Sequence, residues 1–265
     1  MGGRTVEVCV DGETIVVPRK KTRSTRNGGV RQEVKEKFKE EREARIIPVV
    51  AKNENQKKYL HSLQFDTVSV GKGSAGTGKS FCAAAVAANK YLKGEISQII
   101  VTRAYVPMGK TTGFWPGSVE DKMLPFLMPI LSTIKERLGA GRYEAEFGKT
   151  IKIQPLEAIR GMSFPAGTFL ICDESQNLTV EEVRSIVTRF EPGAQVAFCG
   201  DDKQRDVKGV SGIVYLTNLI KKYNLPDCSV VEFSSEDIVR SGLTKAFVEI
   251  FEKEGSSENV TEVSC

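Results

Sequence analysis

From about residue 48 the chain alternates short apolar runs with longer stretches whose apolar residues recur every three to four positions. Asn53 is placed to cap a predicted helix carrying Tyr59, Leu60 and Leu63 on one face. FDTVSV (65–70) reads as a strand, KSFCAAAVAANKYL (79–92) as a buried helix and QIIVT (98–102) as a strand. A long loop to about residue 118 leads into a predicted helix over 119–138, which Pro125 and Pro129 are expected to kink or break. IKIQ (151–154) is a weaker strand, whereas TFLICD (168–173) is apolar on both faces, as a central parallel strand is. The helix VEEVRSIVTRF, the strand QVAFCG, the helix IVYLTNLIKKY, the strand SVVEF and the helix LTKAFVEIFEKE complete the series. Strands alternating with helices require parallel crossovers, so the pattern predicts a three-layer α/β domain with a mainly parallel sheet.

The flanks read differently. Residues 1–17 alternate weakly about Asp11-Gly12, which predicts a small hairpin. Residues 18–29 mix Pro18, Gly28 and Gly29 with charge and read as a mobile arm, and 30–45 as a charged helix with little to dock against. The expected organisation is an extension over 1–47, a compact domain over 48–254 and a polar tail over 255–265. Residues 18–45 hold eleven Lys/Arg and five Glu, so a local +6 sits on a remainder of −2. Such an arm suits a polyanion held by counterion release, or serves as a solvated tail that keeps the protein soluble.

No window approaches the roughly 18 apolar residues of a membrane span, and the first residues lack a secretory apolar stretch, so a cytoplasmic protein without membrane partners is expected. Cys9, Cys82, Cys172, Cys199, Cys228 and Cys265 form no CxxC pair, and His61 is the lone histidine. Reduced thiols are expected, and a zinc site is not.

Between the first strand and the buried helix lies Gly73-Ser74-Ala75-Gly76-Thr77-Gly78-Lys79-Ser80, which fits G-x-x-x-x-G-K-[ST] without a gap. Gly76 and Gly78 permit backbone angles that turn successive N–H groups inward as an anion nest. The helix opening at Lys79 aims its own free N–H groups the same way. Lys79 is expected to reach the β- and γ-phosphates of a bound nucleotide, and the Ser80 hydroxyl to ligate Mg²⁺. TFLICD ends in Asp173-Glu174: Asp173 suits a direct or outer-shell Mg²⁺ contact, and Glu174 a general base for the attacking water. Gln204, in GDDKQ after another strand, is placed to sense the γ-phosphate and orient water.

GSAGTGKS, DESQN (173–177), GDDKQRD (200–206) and SEDIVRSGL (235–243), with NENQKKYL, VTRAYVPMG and GFWPGSVEDKMLPFLMP, together resemble the PhoH-like family of P-loop ATPases, relatives of superfamily-one helicases. The resemblance covers about residues 50–254. It implies a RecA-like core with an added strand between those bearing the phosphate loop and Asp173. It further implies ATP hydrolysis, RNA helicase activity on RNA or single-stranded nucleic acid, and assembly as a homo-oligomer, often a hexameric ring. Gln56 matches the family's upstream Gln, placed to read the adenine edge. Arg240 matches the Arg of the family's D-V-V-R segment, and in a ring Arg240 or Arg189 would enter the neighbour's site as a finger. The chain departs from the family at Ser175, Ala104 and Ser241-Gly242, where Ala, Pro and His-Pro are usual. Phe114 and Trp115, near Arg103 and Lys110, suit either base stacking on a single strand or packing onto their own domain or a neighbour. Two rival functions share the loop: a small-molecule kinase, and a nucleotide-binding switch or assembly module with negligible turnover.

Overall fold

A computed structural model of the protein describes residues 5–10, 13–18, 46–104, 119–202, 204–205, 209–239, 242–243, 246–247 and 250. The chain divides into two compact units, Met1–Ala44 and Arg45–Cys265. In the first, β1 (Thr5–Val10) and β2 (Glu13–Pro18) pair antiparallel from Thr5↔Pro18 to Val10↔Glu13, the hairpin that the alternation predicts. The charged helix expected over 30–45 lies outside the described residues.

The second unit is built on a parallel sheet of six strands in the order β5-β4-β6-β7-β3-β8. These are β3 (Val68–Gly73), β4 (Gln98–Arg103), β5 (Ile151–Ile153), β6 (Thr168–Asp173), β7 (Gln195–Gly200) and β8 (Cys228–Phe233). Helices α1 (Glu54–Phe65), α2 (Lys79–Lys93) and α3 (Val119–Leu138) pack on one face; α6 (Val180–Val187) and α7 (Gly212–Tyr223) pack on the other. The strand residues divide by parity, as pleating requires: Ile99, Val101, Phe169 and Ile171 join the first core, Ile100, Leu170 and Cys172 the second. This three-layer arrangement is the α/β fold the pattern predicts. β7 lies between β3 and β6, which is the added strand of a RecA-like core.

β3 is unusual in carrying small residues on its α1 face. The Ser62 hydroxyl donates to Ser69 Oγ at 2.7 Å, and the Tyr59 ring lies so close over Gly71 that a Cβ there would sit 2.8 Å from Tyr59 Cζ. Gly71→Ala therefore overpacks a site with no room, at a cost of about 1–3 kcal/mol. A lowered melting temperature in thermal denaturation is the expected result, and truncating Tyr59 to Leu in the same chain should recover part of it.

Three local expectations are corrected. The strand predicted at 65–70 runs instead from Val68 to Gly73, because Phe65 still belongs to α1 and the chain turns at Asp66, whose N–H reaches Ser62 O. α3 is not broken at Pro125 or Pro129, since the helix runs without interruption from Val119 to Leu138. The two prolines are four residues apart on its exposed face, where carbonyls that lose a partner meet water, while Met123, Leu127, Ile130, Leu131 and Ile134 hold the other face in the core. Two short helices, α4 (Ala140–Glu146) and α5 (Leu156–Ile159), fall in segments where no helix was predicted. The helix expected over 243–254 lies largely outside the described residues. Cys82, Cys172 and Cys199 are buried free thiols; burial pushes Cys82 up to about 11 and Cys199 up to about 12, so they act as small apolar residues. Among the described residues no helix is long and apolar enough to cross a membrane.

Candidate functional site

β3 delivers the chain to the edge of the sheet at Gly73, whose φ is 122° and whose missing side chain matters: a Cβ would lie 1.9 Å from the Phe233 carbonyl of β8. Gly76 and Gly78 also have positive φ, 81° and 85°, and Gly78 is the residue before α2. The loop is stitched to itself. Thr77, fully buried, donates its hydroxyl to Ser74 O at 3.0 Å. Lys79 Nζ donates to Gly73 O at 2.6 Å, Ser74 O at 2.8 Å and Thr77 Oγ1 at 3.2 Å. Burial holds the Lys79 ammonium below its usual value, and the facing Asp201, Asp173 and Glu174 partly offset this. Positive-φ glycines followed by the amino terminus of a 15-residue helix form the anion-binding arrangement that the motif requires.

The acidic pair comes to this loop because β6 and β3 flank β7 and end at the same edge of the sheet. Ser80 Oγ donates to Asp173 Oδ1 at 2.7 Å across 93 positions of sequence. Two hard oxygen donors side by side fit Mg²⁺, which is usually held by one or two protein oxygens plus phosphate. Among the described residues no group of three or more His, Cys, Asp or Glu stands ready to hold a metal unaided. Burial raises the Asp173 carboxyl above its ordinary value, against the opposing pull of Ser80 and Arg103. Its ionised form therefore opposes folding. The penalty is fully present above the raised pKa and disappears as pH falls below the ordinary carboxylate value. Asp173→Asn is thus expected to melt higher than the wild type at neutral pH, with the gap closing in acid; a pH series of melting curves checks this.

Glu174 sits in left-handed backbone geometry, φ 50°, an uncommon conformation for a non-glycine residue and one often found at working sites. Both its carboxylate oxygens are held. Arg103 Nη2 donates to Oε1 at 3.1 Å, and Gln176 Nε2 donates to Oε2 at 2.6 Å. Gln176 is 1% exposed; its amide also donates to Gln204 O at 3.2 Å and accepts from Asp201 N at 3.0 Å, tying the acidic pair to the loop after β7. That junction leaves no space at Gly200, where a Cβ would lie 2.7 Å from Gln176 Oε1. A cavity of about 400 Å³ collects Gly76, Gly78, Lys79, Ser80, Asp173, Glu174 and Gln204, with Ala75, Arg103 and Asp201, against an apolar wall of Phe81, Phe126 and Ile130.

Lys79, Ser80, Asp173, Glu174 and Gln204 thus line one cavity. Gln56 stands just behind it, 4% exposed: its amide donates to Thr77 O at 2.8 Å, and its Oε1 accepts from Lys52 N at 2.8 Å. Arg189 is elsewhere. Its carbonyl accepts from Phe164 N ahead of β6, at the sheet edge opposite Asp173, so it is not part of its own chain's cavity. Arg240 lies outside the described residues, as do Lys110, Phe114 and Trp115. The segment before Arg240 does meet the loop: Val239 N donates to Gly76 O at 3.2 Å, and Asp237 is anchored to α1 by Asn55 Nδ2 at 2.8 Å. Sequence reasoning named Arg103 only as a neighbour of the aromatic loop and gave Gln176 no role, yet both belong to this site. The β4–β6 pairing that sets Arg103 beside Asp173 is not legible in the sequence; the available signal was Gln176, a polar residue two positions after Glu174.

The same region carries the likeness to known proteins. Residues 48–252 match the PhoH family, described as PhoH-like protein. A PhoH-like protein from Bacillus subtilis is 32% identical over 206 residues, covering 77% of this chain and 64% of the relative. Protein PhoH from Escherichia coli K12 is 32% identical over 203 residues, covering 74% of this chain and 56% of the relative. The chain therefore spans about three fifths of the length of these relatives. A crystal structure of Pif1 helicase from Candida albicans aligns with 78% of this chain and 44% of its own, at TM-score 0.38 and 15% identity, too loosely to bear on function. The chain belongs to the PhoH-like protein family, and its Arg45–Cys265 unit has a P-loop NTPase core.

Proposed function

We propose that the protein is an ATPase that hydrolyses ATP with Mg²⁺, coupled to RNA or single-stranded nucleic acid and working as a homo-oligomer, with a hexameric ring as the form that family resemblance suggests. The observation that carries the hydrolytic reading is the meeting of Ser80 with Asp173 at 2.7 Å, with Glu174 beside them on the wall of one cavity. Phosphate binding alone calls for the loop; a second carboxylate next to the first adds a base for water.

In this reading the amides from Ser74 to Ser80 and the Lys79 ammonium hold the triphosphate, and Gln56 braces the loop from behind while its remaining donor and acceptor capacity serves the adenine edge. Ser80 and Asp173 would hold Mg²⁺, which when bound would supply positive charge to offset that of the phosphates. Glu174 takes a proton from a water whose oxygen bonds to the γ-phosphorus as the bond to the β-phosphate oxygen breaks, leaving ADP and phosphate. Gln204 orients that water. The nucleic-acid partner rests on the +6 arm and on family resemblance, and either Arg240 or Arg189 is the finger offered to a neighbouring chain.

The test is an ATPase assay with and without single-stranded RNA over a salt series. The expected result is Mg²⁺-dependent ADP release that rises with RNA, the stimulation fading as salt increases. ADP formed only when an alcohol or phosphate acceptor is added would indicate a kinase, and binding without turnover a switch.

A further inference from the structure

Arg103 has no place in the mechanism above, yet it makes more contacts with the acidic pair than any other described cation. It ends β4, in parallel register beside Asp173. Nη1 donates to Asp173 Oδ2 at 3.3 Å, and Nη2 to Glu174 Oε1 at 3.1 Å, so the planar fork spans both carboxylates at once. The guanidinium is itself held: Nη1 also donates to Phe126 O at 3.2 Å, and the group lies 5.5 Å from the centre of the Phe126 ring on α3. Its side chain is one-quarter exposed, facing the cavity.

Glu174 needs such a support. Its backbone is in the left-handed region, where a non-glycine residue stays only when its surroundings over-determine it. Gln176 fixes one carboxylate oxygen from the turn side. With that contact alone the carboxylate is still free to swing about its last torsion. The second hold, from the opposite side, comes from Arg103.

We infer that Arg103 is a positioning residue that acts through Glu174: it aims the base at the attacking water and, by sharing its charge with Asp173, keeps the two carboxylates from repelling each other apart. This rests on reading Glu174 as the base. A base displaced by about 1 Å can lose on the order of 10²-fold in rate. Lysine is a point charge and cannot bridge two carboxylates as the fork does, so Arg103→Lys is not a conservative change here.

The experiment is a cycle of single-turnover ATP hydrolysis on the full chain with Mg²⁺: wild type, Arg103→Met, Glu174→Gln and both together, with binding of a fluorescent ATP analogue measured for each. Arg103→Met is expected to slow hydrolysis by roughly 10- to 100-fold with analogue affinity little changed, and Arg103→Lys to restore only part of the rate. In the Glu174→Gln background, adding Arg103→Met is expected to change nothing further, because the group it positions is gone. A further slowing in the double variant by the same factor as in the wild type would overturn the proposal, because Arg103 would then act on the phosphate itself. Full rate in Arg103→Met with a dead Glu174→Gln would overturn it too, leaving the base assignment intact. Full rate in Glu174→Gln alone would remove the base assignment and this inference together.

Discussion

Glu174→Gln is expected to lower ATP turnover by about 10²–10⁴-fold, the usual contribution of a general base, while nucleotide affinity stays near that of the wild type. The amide keeps the size and shape of the carboxylate and, with one acceptor oxygen in place of two, can accept from Arg103 Nη2 or from Gln176 Nε2 but not from both. What it cannot do is take a proton. Binding is expected to survive because the loop, Lys79, Ser80 and Asp173 are untouched. Steady-state ATPase rates with equilibrium nucleotide binding check both halves. Wild-type turnover in this variant would show that Glu174 is not the base.

The second large effect is expected at Lys79. The residue is 8% exposed, and its ammonium bridges three oxygens of its own loop. The side chain is thus already threaded into the nest and needs little rearrangement to reach a phosphate oxygen. Lys79→Met, similar in length and without charge, is expected to lose about 10²–10³-fold in turnover, as other fixed charge-stabilising donors do when removed, and to weaken nucleotide binding as well. That double loss separates it from Glu174→Gln. The fold is expected to survive, since burial already works against the Lys79 charge. Melting curves taken beside calorimetric titration with a non-cleavable ATP analogue check this. Undiminished binding by Lys79→Met would place the triphosphate elsewhere.

Local pattern was enough for much of this. A strand, a glycine-rich turn and a helix follow each other in sequence, so Gly73 to Ser80 could be read without knowing the sheet. The apolar run of β6 likewise announced a central strand tipped with Asp173 and Glu174. Arg103 reads from the sequence only as a neighbour of the aromatic loop, because its place at the acidic pair depends on strand order: β4 and β6 are neighbours, and only that pairing sets Arg103 beside Asp173. Gln176 escaped for a related reason, since the three partners of its side-chain amide come from its own turn and from the loop after β7, and no periodicity reports such a junction. The prolines of α3 do not end it, because both lie on its exposed face while the opposite face is held in the core. Arg189, read as one of two candidate fingers, lies at the far edge of the sheet, a placement fixed by where α6 ends rather than by its own neighbours.

The turn after β3 and the tip of β6 are expected to grip the same ligand. A crystal structure with a non-cleavable ATP analogue and Mg²⁺ addresses this directly. The β- and γ-phosphates are expected on the amides ahead of α2, with Ser80 and Asp173 sharing the metal and Glu174 facing the γ-phosphate. Phosphates bound away from that turn, or Asp173 and Glu174 directed out of the cleft, would contradict the account.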